Sequence, residues 1–190
     1  MMPSTFNAAP VPVGTVPPVS IAAGEYVKVD VSAFFRDPDD EPLSYGAMTT
    51  NILVAGASIS GNTMTVIGVS TGQVGGSVVA KDPAGAEAVQ HFFVEVRNRA
   101  PEITRLLPVV FVDAGQVLRI ELLQHFADPD GDALTFVATT ADAQVAGASV
   151  SGSTLSVGGV AAGGTTITVT ARDSTGEEVE QRFEVVVLGR

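Results

Sequence analysis

The chain has 190 residues, of which 45% are hydrophobic and only 16% charged, a balance typical of folded globular proteins. Its formal net charge is −11, which disfavours nucleic acid and anionic membranes as partners, because both require basic surfaces, and favours cations. The absence of Cys excludes disulfides, zinc–thiolate sites and cysteine nucleophiles.

The sequence as it stands predicts neither a secretion signal at its amino terminus nor a membrane-spanning segment. The amino terminus, MMPSTFNAAPVPVG, lacks the basic segment and apolar run of a signal peptide, and no stretch of 18 apolar residues occurs. We therefore expect no membrane insertion. If the protein is exported, we expect this chain to be a mature or excised piece of it.

The sequence contains two consecutive copies of one repeat unit. A shift of 91 residues aligns FRDPD (35–39) with FADPD (126–130) and VAGASISGNTMTV (54–66) with VAGASVSGSTLSV (145–157) without a gap. Roughly 36 of 93 aligned positions are identical, far above chance for a period of this length. The repeat predicts two domains, residues 1–97 and 98–190.

The elements of each unit are short strands separated by turns. The proline-rich segment 10–20 predicts a split first strand along a sheet edge, where missing backbone donors do no harm. GQVGGS (72–77) and GGVAAGG (158–164) lack the Lys and the following helix of phosphate loops, and we interpret them as loops and strand edges.

In the second unit, the segments QVLRIEL (116–122) and TTITVTAR (165–172) alternate with the period of half-buried strands. A helical turn is expected at 122–126, and hairpin tips at 151–153 and 173–177. About seven strands per unit predict an all-β fold: two tandem seven-stranded Greek-key immunoglobulin/cadherin-like β-sandwiches.

The order of motifs resembles bacterial cadherin-like and immunoglobulin-like repeats, including the dystroglycan-type cadherin-like domains. The resemblance rests on N-x-A-P at each start, F-x-DPD in the middle, A-x-D-x-x-G near 80–85 and 171–176, and F-x-V-x-V at the close. It covers nearly the whole chain, twice. It implies non-catalytic repeats of large surface or secreted proteins, some of which bind calcium.

The acidic turns are the candidate metal site. Ca²⁺ requires six to eight oxygen ligands on a loop that curves round the ion. In the sequence DPDGD (128–132) every second residue is Asp, and Gly131 permits a tight bend. The resemblance implies that the turn after TTITVTAR lies at the same pole. The candidate calcium ligands are Asp128, Asp130, Asp132 and Asp173 in the second unit and Asp37, Asp39, Glu41 and Asp82 in the first.

An alternative interpretation is that each acidic segment is only a solvated β-turn, in which the first Asp bonds its own backbone. An EF-hand is excluded, because Ala133 and Thr139 occupy positions that require Gly and Glu. Asp40 in place of the glycine makes the first loop stiffer and more charged, so we expect it to bind more weakly. Arg97 and Arg99 in the linker oppose a three-ion junction of the cadherin kind.

No catalytic motif accompanies the repeat, and we predict no enzymatic activity. His91 and His125 fall at non-equivalent positions, and we expect both to be exposed or half-packed. The absence of Trp disfavours a sugar-binding platform without excluding it.

The leading functional hypothesis is an adhesion, spacer or interaction module of a bacterial cell-surface or secreted protein, with calcium ions and a protein partner or neighbouring repeats as its partners. Two alternatives stay open. One is a subunit of an extracellular filament assembled by strand addition, and the other is an accessory carbohydrate-binding domain of a secreted enzyme.

Overall fold

The computed structural model describes residues 7–189. The chain divides into two compact units, with the division between Asn98 and Arg99. Within the described residues, no helix has the length and hydropathy that crossing a bilayer requires. Each unit is a two-layer β-sandwich.

The first unit contains nine strand segments and one turn of 3-10 helix at Val31–Phe34. The strands are β1 Val11–Pro12, β2 Val19–Ala22, β3 Tyr26–Asp30, β4 Phe35–Arg36, β5 Ser44–Thr49, β6 Ala55–Ser60, β7 Thr63–Gly68, β8 Gly72–Lys81 and β9 Glu87–Arg97.

Two sheets form the layers of the first unit. A four-stranded sheet has the order β2-β9-β8-β5, and a three-stranded sheet has the order β3-β7-β6. The short strands β1 and β4 pair separately. β2 runs parallel to β9, whereas the other neighbours in both sheets are antiparallel. The first unit is therefore a Greek-key sandwich whose first strand is split between β1 and β2.

The second unit repeats this arrangement, with a 3-10 turn at Leu122–Gln124. Its strands are β10 Glu102–Ile103, β11 Val110–Asp113, β12 Val117–Glu121, β13 Phe126–Ala127, β14 Thr135–Thr140, β15 Ala146–Ser151, β16 Thr154–Gly159, β17 Gly163–Arg172 and β18 Glu178–Leu188. The sheets have the orders β11-β18-β17-β14 and β12-β16-β15.

Alternation of side chains along the long strands builds the core between the layers. In β17, Ile167, Val169 and Ala171 are fully buried, and the intervening residues point outward. Phe126 and Phe136 pack edge to face with centroids 5.7 Å apart, and Phe35 and Tyr45 take the same places in the first unit at 6.0 Å. The predicted sandwich fold is confirmed.

Two local predictions were wrong. GQVGGS is not a loop but the first part of the ten-residue strand β8, which pairs with β5 and β9. His125 is buried rather than half-packed, and its Nδ1 lies 3.2 Å from the carbonyl oxygen of Arg105. In β8, Gly76 leaves room for the ring of Phe92, a requirement that strand propensity does not contain.

Gly76 provides a test of this packing. A Cβ added there would lie 2.3 Å from Cζ of the buried Phe92, and the aligned position of the second unit carries Ile167. We expect Gly76→Ala to destabilise the first unit by about 1–3 kcal/mol through overpacking, measured by urea denaturation. Gly75→Ala is the matched control, since its nearest atom would be 3.8 Å away, and equal losses for the two variants would contradict the packing argument.

Candidate metal centre

The first acidic turn is organised by one oxygen of Asp37, directly after β4. Its Oδ1 accepts backbone N–H groups from Asp39 at 2.8 Å and Glu41 at 3.3 Å, and its carbonyl accepts that of Asp40. Asp37 is only 4% exposed. Its second oxygen, Oδ2, is buried, and no donor among residues 7–189 reaches it. Oδ1 therefore holds the turn, while Oδ2 is shielded from solvent and has no hydrogen-bond donor within the described part of the chain.

Asp128 repeats this arrangement after β13. Its Oδ1 accepts from the N–H groups of Asp130 at 2.8 Å and Asp132 at 3.2 Å, and its carbonyl accepts from Gly131. Oδ2 of Asp128 is again buried without a donor from the described part of the chain. The geometry of the turn is thus a property of the repeated motif.

A second turn, between the two longest strands of each unit, contributes another buried aspartate. Asp82 follows β8, and its Oδ1 accepts the N–H of Ala86 at 2.8 Å while its Oδ2 accepts the side-chain amide of Asn7 at 2.9 Å. Asp173 follows β17, and its Oδ1 accepts N–H groups from Gly176 and Glu177 at 2.7 and 2.9 Å. In both repeats the carboxylate of this turn is thus held by hydrogen bonds from its own turn.

The two turns bring three carboxylates together at one pole of each unit. One oxygen from each of Asp37, Glu41 and Asp82 lies within 4.8 Å of the other two. The same holds for Asp128, Asp132 and Asp173. We call these the first and second acidic clusters. Oxygens that bind one Ca²⁺ at 2.3–2.6 Å are at most about 5 Å apart, so both spacings suit a shared ion.

Asp39 and Asp130 lie outside the clusters, contrary to the prediction that they are metal ligands. Oδ2 of Asp39 accepts the N–H of Ala8 at 2.7 Å. Asp130 accepts from the N–H and Nε of Arg99 at 2.7 and 2.8 Å and forms an ion pair with the same guanidinium. Alternate residues of the turn point to opposite sides, and the outer carboxylate binds the segment that enters the domain.

The linker arginine Arg99 therefore has a structural role that the sequence did not indicate. Its guanidinium also donates to the carbonyl of Pro129 at 2.8 Å, so it is fixed on the back of the acidic turn. Its Nε and Nη2 both contact Oδ1 of Asp130, and this charge-assisted contact neutralises the carboxylate.

Comparisons with known proteins agree with this architecture. Residues 98–186 match the family model described as "Bacterial Ig domain". This segment is similar to bacterial Ig domains. The first repeat aligns with the second at the identities given above and has the same strand order.

Solved structures resemble the fold at low identity. The insect immune protein hemolin matches 100% of this chain over 49% of its own length, with a TM-score of 0.52 and 15% identity, which shows the fold alone. An endo-fucoidan hydrolase from glycoside hydrolase family 107 is 14% identical with a TM-score of 0.42; the match covers all of this chain but only 30% of the hydrolase chain. Titin domains z1z2, in complex with telethonin, match 98% of this chain and 100% of theirs, with 14% identity and a TM-score of 0.48. No curated protein matches the sequence.

The family assignment supports a structural or adhesion module. Ig-like domains are typically non-catalytic, and bacterial Ig domains are often extracellular.

The loops of the two repeats differ in backbone strain. Asp40 adopts a left-handed conformation with φ of 55°, and the aligned residue of the bacterial Ig domain is Gly131 with φ of 82°. A non-glycine residue in this region carries a strain of about 1 kcal/mol. The first loop is therefore more strained than the second, which is a different property from the stiffness that the sequence predicts.

Asp40→Gly should relieve this strain. Because the ion pair of Asp40 with Arg36 is exposed and 3.8 Å long, its loss matters little. We expect the first repeat to gain up to about 1 kcal/mol in the free energy of unfolding, measured in urea. Gly131→Asp is the reciprocal variant, and a gain of stability there would contradict the strain argument.

The Asn7–Asp82 hydrogen bond should make stability depend on pH. The Asn7 amide, together with backbone N–H groups, lowers the pKa of Asp82 from 3.8, against a smaller opposing effect of burial. A depressed folded-state pKa gives stability that is present above pH 3.8 and lost as pH falls through the lower, folded value. Asn7→Ala should therefore destabilise the first repeat at pH 7, and the difference should shrink below about pH 4.

Chemical denaturation across pH 2–7 measures this effect. Asn51→Ala is the control, because Asn51 caps the N–H of Leu53 on an exposed turn rather than binding a carboxylate. A pH-independent loss in Asn7→Ala would contradict the linkage.

Proposed function

We propose that this chain is a spacer or adhesion module of a bacterial surface or secreted protein, and that Ca²⁺ binds at the acidic cluster of each repeat. The observation that carries the proposal is the buried Oδ2 of Asp37 and of Asp128, which accepts no hydrogen bond from residues 7–189 and lies in a cluster with two further carboxylates. An unpaired carboxylate oxygen without solvent is costly, and a bound cation removes that cost.

The chemistry of the cluster suits a hard cation. Its ligands are carboxylate oxygens, and the described chain contributes neither His nor Cys to either cluster. Ca²⁺ accepts irregular shells of carboxylates, carbonyls and water, whereas Mg²⁺ demands near-ideal octahedral geometry. Three carboxylates supply three to six oxygens, so water or backbone carbonyls complete the shell.

The first cluster is the better candidate of the two. Besides Asp37 Oδ2 it contains a second buried oxygen without a donor from residues 7–189, Oε2 of Glu41, whereas the second cluster contains only Asp128 Oδ2. Asp37 is also more deeply buried than Asp128. This reasoning opposes the expectation from loop stiffness, and we infer that unsatisfied burial has the larger effect.

Calcium titration of isosteric variants tests the proposal. Glu41→Gln and Asp132→Asn each remove one ligand charge while keeping side-chain volume. By isothermal titration we expect two sites in the unaltered chain and one in each variant. With free Ca²⁺ at 100 times Kd, the bound state gains about 2.7 kcal/mol of stability.

The direction of the stability change separates a metal site from a structural turn. In chelator, each variant should be as stable as the unaltered chain or more so, because repulsion within the cluster falls; in calcium the order should reverse. Asp142→Asn is the control, since that carboxylate caps Gln144 on an exposed turn. A melting temperature unchanged by millimolar calcium would refute the proposal.

A further inference from the structure

The outer face of the sheet β3-β7-β6 carries an exposed aromatic ring. Val27 and Val29 of β3 pack against the core, so Tyr26, Lys28 and Asp30 point outward. Tyr26 is 64% exposed. The structure therefore places a large amphipathic ring on the surface, whereas the other tyrosine, Tyr45, packs against the core.

Cross-strand pairing orders this face into rows. Tyr26 pairs with Ile67, which pairs with Gly56 on β6; the next row is Lys28, Thr65 and Ser58. An apolar row that begins with Tyr26 thus lies beside a polar row that has one ammonium group and two hydroxyl groups. We call these two rows the Tyr26 face.

The Tyr26 face is concave because its edge strand lacks bulk. A groove of about 430 Å³ lies over Gly56, Ala57 and Ser58, between Tyr26 and Thr65. A Cβ on Gly56 would lie 3.3 Å from Cγ2 of Ile67, so a larger residue there would crowd that side chain and reduce the groove. A volume of this size suits a small-molecule ligand.

We propose that the Tyr26 face binds a neutral glycan, with a sugar ring against Tyr26 and its hydroxyl groups on Lys28, Ser58 and Thr65. A sugar ring is apolar on its C–H faces and bears hydroxyl groups around its edge, which matches a ring beside donors and acceptors. The Lys28 ammonium lies 5.9 Å from the Tyr26 ring centroid, which favours a defined position for this donor.

Charge argues for a neutral rather than an acidic glycan. Lys28 is the only cation of the two rows, and Asp30 follows it on the same face, in a row with Thr63 and Ser60. Asp30 stays ionised, because hydrogen bonds from Ser32 lower its pKa. With a net charge of −11 on the chain, a polyanion would meet repulsion without a basic patch to offset it.

The second repeat supplies an internal comparison. Its corresponding rows read Val117, Gly158, Gly147 and Arg119, Ser156, Ser149. The polar row again has one basic side chain and two hydroxyl groups, but Val117 stands where the first repeat has the aromatic ring of Tyr26. We therefore assign glycan binding to the first repeat alone.

Affinity electrophoresis in gels containing β-glucan, xylan or galactomannan tests this assignment, with pectate as the acidic arm and chelator throughout, so that the outcome is independent of calcium. We expect retardation in at least one neutral gel. Tyr26→Val, the residue of the second repeat, should weaken that binding at least tenfold, and Gly56→Leu should weaken it by crowding the groove. Val117→Tyr should strengthen it by creating a second platform.

Phe93→Val is the control for an exposed aromatic residue elsewhere, since Phe93 is 61% exposed on the other sheet and should leave retardation unchanged. Circular dichroism and urea midpoints verify that each variant is folded. The proposal is overturned by no retardation in any neutral gel, by retardation in pectate alone, or by equal effects of Tyr26→Val and Phe93→Val.

Discussion

At the acidic pole of each unit, the two carboxylate oxygens of one aspartate have different roles. Oδ1 of Asp37 and of Asp128 satisfies two backbone N–H groups of the turn, so the turn forms with or without a ligand. Oδ2 is buried by the same packing and has no donor among the described residues. The two interpretations that the sequence left open, a β-turn and a metal site, are therefore not exclusive, because each uses a different oxygen.

The remaining carboxylates of the turn lie on two different sides of it. Asp39 and Asp130 hold the segment that enters the domain, through Ala8 N–H and through Arg99. Glu41 and Asp132 instead join Asp82 and Asp173. A turn that binds the entering segment on one side and gathers charge on the other couples the position of that segment to the electrostatics of the cluster.

Much of the fold could be predicted because period and register are local properties of the sequence. The alternation in QVLRIEL and TTITVTAR, the hairpin tip at 151–153 and the split first strand all have the predicted form. The grouping of Asp82 with the DPD turn could be expected only from the family resemblance. The local predictions that failed concern contacts between residues that are far apart in the sequence. GQVGGS pairs with a strand on each side, and its Gly76 lies against the ring of Phe92. Asp130 lies outside the cluster because it binds Arg99, 31 residues away. The exposed position of Tyr26, in contrast, follows from strand alternation.

The duplication separates what the fold requires from what the surface does. A turn of this kind needs only its first aspartate, yet each repeat keeps three carboxylates in its cluster, even though the middle one changes from Glu41 to Asp132 and the residue before it from Asp40 to Gly131. Preserved charge at changed side-chain length favours a common electrostatic role over a purely conformational one. On the three-stranded sheets the opposite holds: the inner valines and leucines agree in kind, while Tyr26 and Val117 differ outright. Each repeat thus has its own acidic cluster at the equivalent pole, whereas the outer face of the three-stranded sheet differs between the repeats. This pattern is expected when a common scaffold carries a binding surface on only one of its copies.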